Sequence, residues 1–107
     1  MILKDVPTYT VTIYASGSIE VAKQTIREEC FRGGLCVTIS PTLFIYTGGE
    51  EFGFQIGLIN YPRLPSDETT IWNRAVDLAT KILDATFQHS TLVLSSSKTL
   101  WITKREA

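Results

Sequence analysis

Tyr9 to Tyr14 alternates tyrosine, valine and isoleucine with threonine, the two-residue period of a strand. Ala15-Ser16-Gly17-Ser18 forms a tight exit, and the period then lengthens. Ile19, Ala22, Ile26 and Cys30 recur at helical spacing, which predicts a first helix running to about Arg32. Ser18 is placed to cap it and Glu20 to meet its dipole, while Gly33-Gly34 supplies a residue that tolerates the left-handed conformation at its end. Three strand-like runs follow, Leu35–Ile39, Leu43–Thr47 and Phe54–Ile59, separated by Ser40-Pro41-Thr42 and by the turn Gly48-Gly49-Glu50-Glu51. Beyond the stiff stretch Arg63 to Pro65, Ser66 with Asp67 and Glu68 marks the start of a second helix, predicted to reach about Gln88. Leu92–Leu94 and Leu100–Thr103 close the chain as a hairpin across Ser95-Ser96-Ser97-Lys98.

The predicted order is therefore β-α-β-β-β-α-β-β within one domain over residues 1–107. Clustered strands joined by hairpin-length links imply an α+β fold, with a mostly antiparallel sheet and both helices on one side. The first strand-helix-strand unit leaves room for one parallel pair. Helix two carries two adjoining apolar rows, Ile71, Ala75, Leu78, Ile82, Ala85 and Trp72, Val76, Ala79, Leu83, Phe87. One row suffices to cover a small sheet. The second either broadens the same core or faces another copy, and the limited sheet area favours a homo-oligomer.

Composition narrows the function. The chain is 44% apolar and 20% charged with a net charge of −1, which excludes a disordered protein and gives no basic excess for general DNA or RNA binding. No apolar stretch approaches the length a bilayer needs, so no membrane partner is expected. Met1 to Val6 carries Lys4 and Asp5 without an apolar core, so no secretion signal is expected either. Cys30 and Cys36 are expected as reduced thiols, and two cysteines with the single histidine, His89, do not make an ordinary zinc site.

No familiar catalytic constellation stands out. His89 has no paired nucleophile motif, and Glu28 and Glu29 diverge on a helix. Glu50 and Glu51 sit in a turn where carboxylates are normally solvated, and no phosphate-binding lysine or G-x-G-x-x-G motif accompanies the glycines. The binding candidates are more numerous. Arg63, stiffened by flanking prolines, suits a phosphate or carboxylate. Asn60 and Tyr61 could bond a base edge or ribose, Gly48 and Gly49 could bring backbone close to a ligand, and Tyr46 or Phe52 could stack on a base. Lys23 and Arg27, one helical turn apart beside the buried stripe, form a candidate second anion site, with snorkelling toward Glu20 as the alternative.

The runs IYASGSIE, GLCVTI, IYTGGEE and GLINYPR resemble the first family of phage Thoeris anti-defence proteins over most of residues 8–65. That resemblance implies a small α+β protein that oligomerises as a dimer or larger, with a hexamer among the states to be tested. It implies a sponge in the host bacterial cytoplasm that sequesters cyclic ADP-ribose-type signals without degrading them, hence no enzymatic activity and no cofactor. It also implies binding of cyclic trinucleotides at a separate subunit interface. Two alternatives remain open at this stage: an enzyme degrading a cyclic nucleotide signal, with Glu50 or Glu51 as base, and a protein-protein inhibitor of a host defence factor.

Overall fold

A computed structural model describes residues 1–105. The elements are β1 (Thr10–Ser16), α1 (Ile19–Gly33), β2 (Val37–Tyr46), β3 (Gly49–Ile59), α2 (Glu68–Ala85), β4 (Ser90–Ser95) and β5 (Thr99–Thr103). The five strands form one sheet in the order β2-β3-β1-β4-β5, and every neighbouring pair is antiparallel. This is the expected α+β architecture and order of elements, with the two strands expected at 35–39 and 43–47 running together as one. Pro41 does not break β2 because β2 is an edge strand, where a missing N–H can face away from the ladder. No parallel pair forms, because β1 takes β3 and β4 as its neighbours rather than β2.

Both helices pack on one face. Val11, Ile13 and Ala15 of β1, Phe54, Ile56 and Leu58 of β3, and Val93 of β4 alternate onto that face and are buried. They meet Ala22 and Ile26 of α1 and Ile71, Ala75, Leu78 and Ile82 of α2. The second apolar row of α2 belongs to this same core. Ala79 and Leu83 are buried, and Trp72 and Val76 are half-buried against the cluster. The width of α2 therefore supplies no argument for a second copy. Only Phe87, beyond the helix end, stays exposed, in the left-handed region at φ 56°.

Local polar contacts fix the ends. Ser18 accepts from Val21 N at 3.3 Å, and Gly34, at φ 62°, donates its N–H to Cys30 O at 3.1 Å. The α2 cap is Asp67, not Ser66: its carboxylate accepts from Thr70 N at 2.7 Å, while Ser66 N donates to Asn60 Oδ1 at 2.9 Å. Lys81 joins the helices, bonding Glu29 at 2.8 Å and Asp77 at 3.0 Å. Those two carboxylates, Glu29 foremost, raise its pKa. The two cysteines are free thiols, and partial burial above all pushes the Cys30 pKa up.

The Thr70 hydrogen bond lowers the Asp67 pKa. Its contribution to stability is therefore complete above the ordinary carboxylate range and is lost as pH falls through the lowered value. Asp67→Asn keeps a capping oxygen and removes the titration, so thermal melts across pH 2–6 are expected to show a flatter acid limb for the variant than for the parent.

Candidate functional site

The sheet face opposite the helices carries no covering element among the described residues. Alternation places Thr10, Thr12, Tyr14 and Ser16 of β1 on it, with Ile59, Gly57, Gln55 and Gly53 as their respective β3 partners. Most of this bare face is threonine, serine and glycine. Toward the C-terminal end of β1 it becomes aromatic. Ser16 and Ser90 form a floor there, and Phe44, Tyr46 and Trp101 stand around it with Tyr14 and Leu92. They border a wide, open trough of about 510 Å³.

The trough is built by register. Phe44 lies opposite Glu51 on β3, and its ring leans back over Gly53, where any Cβ would strike both that ring and Ala15 O. The space left by the glycine brings Phe44 edge-on to Tyr14, with centroids 6.3 Å apart and planes at 65°. Thr91 Oγ1 donates to Tyr14 O at 2.7 Å and holds β4 against β1 at this point. Glu51 is the carboxylate that lines the trough, and Ser16 Oγ donates to it at 2.7 Å. Trp101 remains 56% exposed, so a large part of its indole is free to contact a ligand. An aromatic enclosure with one carboxylate suits a flat base and a positively charged centre.

The residues expected from the sequence to form one site do not lie together. Tyr46, Gly48 and Gly49 cluster at the β2–β3 turn, where Gly48 takes φ 91°. Tyr46 does line the trough. Asn60, Tyr61 and Arg63 lie past the other end of β3, an 11-residue strand and so about 33 Å long. One chain cannot close a single pocket over both groups. Asn60 is 8% exposed, and its side chain is committed internally, donating to Pro7 O at 2.8 Å and accepting from Ser66 N. It is a tie between segments rather than a reader of a ligand edge. Tyr61 borders a shallow cleft beside Cys36 and Arg74, and Arg63 is exposed. Phe52 is 82% exposed but points to the helix side, opposite Leu43, away from the trough. Lys23 pairs with Glu20 at 3.2 Å, as in the snorkelling alternative, and Arg27 is exposed.

Sequence reasoning missed Tyr14, Ser16, Phe44, Ser90, Leu92 and Trp101. A signal was present: Tyr14 alternates with the apolar Ile13 and Ala15 that go under the helices, so its ring falls on the uncovered side. Among the described residues, no group of three or more His, Cys, Asp or Glu is placed to hold a metal ion, and no helix is long and apolar enough to cross a membrane.

No protein-family model and no curated protein matches the chain. Two solved structures share its fold over nearly its whole length. A phage SAM lyase in its apo state superposes with a TM-score of 0.73 at 14% identity, covering 100% of this chain and 99% of the other. A phage SAM lyase in complex with S-methyl-5′-thioadenosine gives a TM-score of 0.74 at 17% identity, covering 99% and 100%. The fold class is thus one on which a phage lyase is built. That finding overturns the expectation of a protein without enzymatic activity. A sulfonium substrate carries its own leaving group, so a catalyst for its cleavage needs none of the nucleophile-base motifs whose absence suggested passive binding.

Because Gly53 makes room for Phe44, Gly53→Ala is expected to lower the melting temperature and displace the ring. Two-dimensional aromatic spectra should show loss of the Tyr14–Phe44 contact; an unchanged contact would remove the glycine from the account of the trough.

Proposed function

We propose that this chain is a lyase-type enzyme acting on an adenosine-bearing sulfonium compound of the S-adenosylmethionine class, bound in the trough of the bare sheet face. The observation that carries this reading is the aromatic enclosure of Tyr14, Phe44, Tyr46 and Trp101 beside the Glu51 carboxylate. The shared fold with two phage SAM lyases, one holding a methylthioadenosine, supports it. The rings offer stacking surface for adenine, and Glu51 offers a counter-charge for the α-ammonium of the amino-acid tail. Cleavage consumes no water. Sulfur keeps the electron pair of the broken S–C bond and departs as a neutral thioether, methylthioadenosine. The carbon fragment closes on its own carboxylate oxygen, so a C–O bond forms as the S–C bond breaks, and no proton has to be moved.

The small-molecule ligand expected from the sequence is retained in this reading, while turnover replaces storage. Incubation with S-adenosylmethionine, followed by denaturation and mass spectrometry, tests it, with a cyclic ADP-ribose isomer as the comparison ligand. Release of methylthioadenosine is expected. Glu51→Gln should lower kcat/KM by about 10- to 100-fold, the scale of one charged hydrogen bond, and Trp101→Ala should act mainly on KM. Recovery of intact S-adenosylmethionine from a chain that binds it, or tight binding of the cyclic ADP-ribose isomer alone, would sink the proposal.

Self-association, in this reading, uses the β2–β3 arm, which runs four residues past the end of β1, about 13 Å. Leu43, Ile45 and Phe52 are exposed on its helix side. Such a cluster is more exposed apolar surface than one small strand pair normally leaves to water. Phe52→Glu is expected to lower the assembly state in native mass spectrometry without unfolding the chain. An unchanged mass distribution would exclude the arm from the contact.

A further inference from the structure

A second cavity, of about 490 Å³, lies at the other end of the strands, between the start of β1, the first turns of α2 and the turn joining β4 to β5. The Lys98 ammonium stands 4.3 Å from the centroid of the Trp72 ring. Lys98 forms no ion pair with any described residue, and neither does Glu68, although both line this one cavity. Thr8, Thr10 and Asn73 add uncharged donors and acceptors around them. One cation and one anion therefore face the same space without meeting.

That charge arrangement selects a ligand class. An anion alone would bond Lys98 and leave Glu68 facing it. The start of α2 does not offset this, because Asp67 already caps it and Glu68 lies in its first turn, together exceeding the dipole's roughly half charge. A cation alone would meet Lys98. A zwitterion satisfies both groups and brings no net charge into the cavity. We infer that this cavity is a binding site for a free α-amino acid, with the ligand carboxylate on Lys98, its ammonium on Glu68, and its side chain against the Trp72 indole. Lys98 would leave the ring to reach the carboxylate and so uncover the indole face. Unbranched, polarisable side chains suit that face best, because sulfur and methylene groups pack well on an aromatic ring.

The chain has two tryptophans, Trp72 and Trp101, so a Trp101→Phe background makes indole emission report on this cavity alone. Titration with L-methionine is expected to change that emission saturably. N-acetyl-L-methionine, which lacks the ammonium, and L-methioninamide, which lacks the carboxylate, are each expected to bind at least about tenfold more weakly, the scale of one lost charged hydrogen bond. Lys98→Met and Glu68→Gln should each weaken L-methionine to the same degree while circular dichroism stays that of the parent. If either variant unfolds, the two blocked ligands on the parent decide the question. Amide spectra of the wild-type chain should shift at residues 8–11, 68–73 and 95–98. No saturable change up to about 10 mM L-methionine, an equal response to the blocked ligands, or shifts confined to the trough would overturn the inference.

Discussion

Both helices of this chain lie on the same face of a five-stranded sheet, and the proposed catalytic site follows from the face left bare. The covering is decided by alternation. In β1, Val11, Ile13 and Ala15 go under the helices, and Thr10, Thr12, Tyr14 and Ser16 go to the opposite side. A face rich in threonine and serine can stay in water without cost, and most of this one is of that kind. The aromatic end is different. Tyr14, Phe44, Tyr46 and Trp101 place large rings around the small residues Ser16 and Ser90. Small floor and tall walls make a concavity out of a surface that a sheet would otherwise leave nearly flat.

The elements were legible in the sequence because each carries its own local signature. Ser18 and Gly34 bound α1 as their chemistry requires, and the apolar periods locate the strands. Strand continuity was less legible. Pro41 reads as a break until the sheet order shows that β2 has a free edge to which an absent N–H can be turned. The candidate site was legible only in part. Tyr46 was found because it adjoins a conspicuous glycine turn, whereas Asn60 and Arg63 were joined to it by nearness in sequence. An extended strand defeats that inference: it carries residues about 3.3 Å further apart at each step, so the two ends of β3 are among the more distant points of the molecule. Trp101 lies far away in sequence and enters the trough only through the β1–β4–β5 register.

The breadth of α2 teaches a related lesson. Two apolar rows looked like more surface than one sheet could cover, yet Ala79 and Leu83 are buried within the single core. α2 packs on β4 as well as β1, and Trp72 stands beside the β4–β5 turn, so the strands on that side take up the width. Exposed apolar residues lie elsewhere, among them Leu43, Ile45 and Phe52 on the hairpin arm.

The charge balance of the trough bears on how such a site could catalyse anything. A sulfonium ion loses its positive charge as the S–C bond breaks, so an enclosure that stabilises this cation strongly would stabilise the ground state more than the transition state and slow the reaction. Aromatic rings gripping the sulfur centre would therefore work against turnover. The same rings stacked on adenine hold a group whose charge does not change. Glu51, bonded to Ser16, is likewise better matched to the α-ammonium of the tail, which remains charged throughout, than to the sulfur. With both fixed ends held uniformly, the gain left to the protein is geometric. A tail folded with its carboxylate toward the carbon bonded to sulfur would react in a step in which opposite charges annihilate. Such catalysis requires shape and polarity rather than a proton-transfer pair, which is why a sequence with one exposed histidine, and with Glu50 and Glu51 on strand β3 rather than in the expected turn, still fits an enzyme.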